Sequence, residues 1–125
     1  QAAALAVYLA RSGTSKEVIR EKVEALGYDL RHTYDEIQPG YTWDVTCQGT
    51  VPAALIAFLD STGFEDCIRK AIALGGDADT LAAIAGAIAE PFYGGVPPRI
   101  AGQAIKYLPT EMLRVVERFS IRVDR

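Results

Sequence analysis

The residues best suited to chemistry lie in Gly75-Gly76-Asp77-Ala78-Asp79-Thr80, where two carboxylates and a hydroxyl fall within four residues. Asp77 is placed to be the N-cap of a helix, with Asp79 and Thr80 in its first turn, so all three side chains gather at one helix start. A set of oxygen donors without Cys or His suits a hard cation, Mg²⁺ or Ca²⁺, better than zinc. Gly75 and Gly76 allow a sharp turn and the close approach of a ligand. The same acids also have a purely structural explanation, because Asp at an N-cap or in a first turn gains about 0.3–1 kcal/mol from the helix dipole and the open N–H groups.

The segment after the motif weighs on that choice. Leu81-Ala-Ala-Ile-Ala-Gly-Ala-Ile-Ala89 is apolar on every face, which predicts a helix over about 78–92 that is buried on all sides. Such a helix carries its N-terminus inward, where unpaired carboxylates are costly and need a cation. An octahedral Mg²⁺ takes about six oxygens and the motif offers about three. The other acids weighed, Asp35, Glu36, Asp44, Asp60, Glu65 and Asp66, form no second compact cluster. Half of the expected site is therefore absent from the chain.

The elements that must position this turn are helical, since apolar spacing near 3.6 runs through almost the whole sequence and hairpin signals are missing. The fold expected is all-α. A first helix runs from Gln1 to about Arg11 and breaks at Ser12–Gly13. Thr14 or Ser15 caps a second, with Val18, Ile19, Val23 and Leu26 as one stripe and Gly27 at its end. Tyr28 to Gly49 reads as a loop of about twenty residues, with a one-turn capping box at Thr33 and Glu36; long loops of this kind are often functional. Thr50 is expected to cap the next helix, with Pro52 in its first turn and Ala53, Leu55, Ile56 and Leu59 inward. Phe64–Leu74 then forms an amphipathic helix, and two more helices follow Pro97–Pro98, over about 99–107 and 110–123.

The 125 residues carry 13 Lys+Arg against 16 Asp+Glu and are half apolar, the profile of one folded domain. A chain of this size holds a core without staples. No repeat or linker divides it, so residues 1–125 are read as a single unit. Its basic residues are scattered, which argues against a nucleic-acid partner. No segment reads as a membrane span or signal peptide, and Cys47 and Cys67 lack metal or disulfide spacing, so both are expected to be buried thiols of a cytoplasmic protein.

Several segments together carry a resemblance. Asp44-Val-Thr-Cys-Gln-Gly-Thr-Val-Pro-Ala-Ala-Leu55, Phe64-Glu-Asp-Cys-Ile-Arg69, Gly75-Gly-Asp-Ala-Asp-Thr80, Ala82-Ala-Ile-Ala-Gly86 and Tyr93-Gly94 closely resemble the C-terminal half of ADP-ribosylglycohydrolases. Members are all-α proteins of about twice this length that bind two Mg²⁺ ions and cleave the bond joining ADP-ribose to a protein side chain or related acceptor. The resemblance implies that Asp77, Asp79 and Thr80 are metal ligands. It also implies that Val45, Thr46 and, less directly, Trp43 line the ADP-ribose cleft, with Gly76 giving close access to substrate. Core packing is the competing role for Trp43, Val45 and Thr46.

The family's other ligand cluster, Thr-Asp-Asp, and its acidic residue near a Gly-Asp turn do not occur in this sequence. The catalytic acid or base is therefore unassigned, and the 125 residues alone are expected to lack turnover. Gln1 is read as a break within a longer enzyme whose N-terminal half is the missing partner. The alternatives are a non-catalytic ADP-ribose-binding or structural protein of the same fold, as the likeness to some eye-lens crystallins of this family allows, and a plain helical module in which Asp77 is an ordinary N-cap.

Overall fold

The computed structural model describes residues 1–123, all in helices and the turns between them. The chain divides into two compact units, residues 1–95 and 96–125.

In the first unit, α1 (Ala2–Arg11) buries Ala2, Ala6 and Ala10 at a spacing of four, which is one face of a helix. Ser15 is the N-cap of α2 (Lys16–Glu24), which buries only Ile19 and Val23. Val18 and Leu26, expected on the same stripe, are exposed. α2 packs along α1, so its inward face is narrower than its sequence suggests.

The segment before α4 is pinned at several points. Leu30 is fully buried, and its carbonyl accepts a hydrogen bond from the Arg20 guanidinium. The Thr33–Glu36 capping box forms as expected and opens the short α3 (Tyr34–Ile37), followed by a 3₁₀ turn over Gln38–Gly40. The Tyr34 N–H donates to Asp60 Oδ2 at 2.5 Å, and its phenol donates to the Lys70 carbonyl at 3.0 Å.

α4 (Cys47–Leu59) begins earlier than the sequence suggests. Its cap is Thr46, whose hydroxyl accepts from the Gly49 N–H. Thr50 is buried inside the helix and donates to the Asp44 carbonyl at 2.9 Å. Pro52 lies beyond the first turn. Every residue from Ala53 to Leu59 is buried, which makes α4 the centre of the unit.

α5 (Phe64–Ala73) follows, with Cys67 and Ala71 inward. α6 (Ala78–Phe92) packs against α1, α4 and α5. It is not enclosed on all sides: Leu81, Ala85, Ile88 and Ala89 are buried, whereas Thr80, Ala83, Ala87 and Glu90 are exposed. A helix rich in alanine has no strongly apolar side chain that must be hidden on its fourth face, so the expectation of complete burial fails there.

Lys16 ties the start of α2 to the end of α4. Its Nζ donates to the carbonyls of Leu59 at 3.0 Å and Ser61 at 2.5 Å, and lies 5.2–5.6 Å from the ring centroids of Phe58, Phe92 and Tyr93. Cys67 is buried, but Cys47 is exposed at the start of α4, contrary to the expectation for both thiols.

The second unit contains α7 (Pro98–Ala104), a 3₁₀ turn over Ile105–Tyr107 and α8 (Thr110–Val123). Among the described residues no helix is long and apolar enough to cross a membrane.

Candidate functional site

Leu74 is the C-cap of α5, and Gly75 and Gly76 follow with φ of +79° and +61°. Two consecutive left-handed residues reverse the chain within one step, which L residues with side chains resist. The reversal delivers Asp77 to the N-cap position of α6, where its carbonyl accepts from the Leu81 N–H at 3.0 Å.

The Asp77 side chain does not cap the helix. The Asp77 side chain beside it and the backbone N–H groups of Asp79 and Thr80 hold Asp79 below the ordinary carboxylate range. Asp77 is half-buried while Asp79 and Thr80 are exposed. Desolvation therefore does not force a cation into this turn, because the face of α6 from which it starts is open. What the turn offers is two acids and a hydroxyl close in sequence at one helix start.

Gly76 also joins the turn to the segment preceding α4. A Cβ added there would stand 3.3 Å from the Thr42 carbonyl oxygen, Trp43 Cα and Tyr41 Cε1. Residues more than thirty positions apart thus meet backbone to backbone, and the Trp43 and Gly76 positions singled out in the sequence are brought together. Trp43 and Val45 are 67% and 69% exposed, so neither is plugging the core. Thr46 is engaged locally: its N–H and hydroxyl both donate to Asp44 Oδ1 at 2.7 Å.

Two residues matter more here than their sequence positions suggested. Asp44 makes the turn that presents Thr46 to α4, and its bonds from Thr46 hold its pKa below normal. A Cβ at Gly49 would overlap the Asp44 carboxylate, so the glycine is what leaves room for this turn. The readable signal was Asp44-x-Thr46-x-x-Gly49, an Asx turn running into an N-cap. Tyr41 packs its ring under Gly76. Its Oη is buried without a hydrogen-bond partner, and burial, then the Asp44 and Asp77 carboxylates, push its ionisation up.

Among the described residues, no group of three His, Cys, Asp or Glu side chains gathers as a metal cage. Glu36 serves the α3 cap, Asp60 accepts from Tyr34, Glu65 pairs with Arg69, and Asp66 pairs with Lys70 and accepts from the Thr62 N–H. Each of these four is thus engaged with a partner other than Asp77 or Asp79.

The family model described as ADP-ribosylglycohydrolase matches residues 1–123, and the chain belongs to that family. The all-α architecture agrees with it, and membership points to an ADP-ribosylglycohydrolase type of function. No curated protein and no solved structure matches the chain.

Proposed function

We propose that the chain contributes the Asp77–Asp79–Thr80 part of a Mg²⁺-dependent site that hydrolyses the N- or O-glycosidic bond between ADP-ribose and a modified protein side chain or related conjugate. The observation carrying this reading is the pair of carboxylates two residues apart at the open start of α6, with the Asp77 side chain not spent on capping it.

The donor set fits a hard cation: Asp77 and Asp79 would offer carboxylate oxygens and Thr80 a hydroxyl, with no soft ligand present. A divalent cation there would supply Lewis acidity and neutralise charge on substrate oxygens. The complete site is proposed to hold two Mg²⁺. Since the turn offers about three of the roughly six oxygens one Mg²⁺ takes, the other ligands, and the acid or base that handles protons, come from a further polypeptide segment corresponding to the family's N-terminal half, from water and from substrate. Residues 1–125 would then act as one part of that larger domain.

Gly76 keeps the turn free of side-chain bulk where it meets Tyr41–Trp43. The exposed Trp43 and Val45, with Thr46 beside them, would form an apolar wall against which an adenine or ribose is held. An acidic chain can still bind a pyrophosphate through backbone N–H groups and the cation. The reading is of a cytoplasmic enzyme, in keeping with two free cysteines.

Binding and turnover test it separately. Mn²⁺, followed by electron paramagnetic resonance, is expected to bind the 125-residue protein loosely and to be lost in Asp77→Ala and Asp79→Ala. With an ADP-ribosylated peptide and Mg²⁺, the 125 residues alone are expected to release no ADP-ribose. The longer enzyme should release it, with loss in EDTA and in either variant. Unchanged Mn²⁺ binding in both variants, or metal-independent release, would refute the assignment.

A further inference from the structure

The segment ahead of α4 holds a polar group for which the fold provides nothing. Tyr41 Oη is buried and has no hydrogen-bond partner. A hydroxyl withdrawn from water and left unpaired costs the folded state, so each such group calls for a reason. Solvent does not supply one, because the oxygen has essentially no surface that water can reach. Tyr34 shows the ordinary case: its phenol donates to the Lys70 carbonyl at 3.0 Å.

The surroundings of Tyr41 narrow the reason. Thr50 Oγ lies close to Oη, but it gives its own hydrogen to the Asp44 carbonyl at 2.9 Å, and the two hydroxyls form no bond. The charges of Asp44 and Asp77 both act on the phenol. Asp44 is already committed, since its Oδ1 takes the N–H and the hydroxyl of Thr46. Asp77 is not, because its side chain does not cap α6. It also follows directly on Gly76, whose Cβ position stands 3.3 Å from Tyr41 Cε1. The ring carbon that faces the turn is bonded to the one that carries Oη.

We propose that Tyr41 is a positioning residue for Asp77: its hydroxyl donates to the Asp77 carboxylate when that acid holds a divalent cation, and so fixes the ligand from behind. The inference rests on the cation reading given above. A carboxylate has more acceptor sites than one cation uses, and a partner on the remaining ones orients the acid and raises metal affinity. The hydroxyl costs stability while unpaired and adds to affinity once paired. Its removal therefore moves the two quantities in opposite directions.

In the 125-residue protein with EDTA, Tyr41→Phe is expected to raise the urea midpoint by about 0.3–1 M, whereas Tyr34→Phe lowers it. Mn²⁺ binding, followed by electron paramagnetic resonance, weakens about tenfold in Tyr41→Phe and is unchanged in Tyr34→Phe. Mg²⁺ added to the wild-type protein gives the near-ultraviolet difference band of a tyrosine that has gained a carboxylate acceptor; Tyr34→Phe keeps the band and Tyr41→Phe loses it. That band is read in the wild-type protein, so its absence refutes the role even where Tyr41→Phe does not fold. Asp79→Ala separates the two readings. If it abolishes Mn²⁺ binding while Tyr41→Phe binds as tightly as wild type, the Tyr41 role falls and the cation site stands. If Asp79→Ala binds as before, or the wild-type protein takes up no Mn²⁺, the cation site falls and the Tyr41 role with it. A lower urea midpoint in Tyr41→Phe also overturns the proposal, since it would assign the phenol hydrogen to Thr50.

Discussion

Replacing Gly76 by Ala probes the contact that joins the two halves of the candidate site. Gly75 and Gly76 both have positive φ, +79° and +61°, so a side chain at either is strained by about 1–2 kcal/mol. Their surroundings differ. Nothing lies within 4 Å of a Cβ added at Gly75, whereas one at Gly76 would meet Thr42 O, Trp43 Cα and Tyr41 Cε1, each at 3.3 Å. Two of those three atoms are backbone, so the segment must shift as a body; crowding of this kind costs about 1–3 kcal/mol. Gly75→Ala is therefore expected to lose about 1–2 kcal/mol and Gly76→Ala about 2–5 kcal/mol. The difference between the two variants isolates the close approach. Urea unfolding followed by far-UV circular dichroism measures the losses, and fluorescence of Trp43, the single tryptophan, reports on the segment itself. Native emission should shift in Gly76→Ala and stay unchanged in Gly75→Ala. Equal losses in the two variants, with undisturbed Trp43 emission in Gly76→Ala, would refute the packing of this segment on the turn.

Four further outcomes are expected. Lys16→Met leaves the Leu59 and Ser61 carbonyls without their charged donor and should cost about 1.5–3 kcal/mol in urea melts; a loss under about 0.5 kcal/mol would show that the tie contributes little. Gly49→Ala, which in an ordinary helix interior gains about 0.5–1 kcal/mol, should instead lose stability as the displaced Asp44 carboxylate gives up its bonds from Thr46; a rise in the urea midpoint would contradict this. Burial pushes the Cys67 thiol up to about 11, against about 8.5 for a free thiol. Because the folded state disfavours the thiolate, its contribution to stability is intact below about pH 8.5 and is lost as pH rises toward 11. Cys67→Ala should therefore flatten the alkaline limb of the stability profile. Iodoacetamide should label Cys47 and spare Cys67 until the protein unfolds.

The amino-acid sequence alone determined what depends on near neighbours. Helical periodicity placed α1, α5 and α6 and defined the all-α class, Ser12–Gly13 broke α1, and Thr33 with Glu36 made the α3 cap, because spacing and capping act over a few residues. Gly75-Gly76-Asp77 likewise carried its own sharp turn into α6. Two threonines compete by composition for the α4 start, Thr46 and Thr50, and only the Asp44 turn over Gly49 selects Thr46.

Tertiary structure decided the rest, because burial is set by what packs against a helix and not by its own composition. α4, with mixed spacing, became the enclosed element, while the alanine-rich α6 kept an open face. That reversal left Asp79 at the surface and removed desolvation as the reason for a cation. It also took the chain folded back on itself to set Tyr41–Trp43 against Gly76. No local pattern encodes that approach, since it joins residues more than thirty positions apart through backbone atoms that every residue shares.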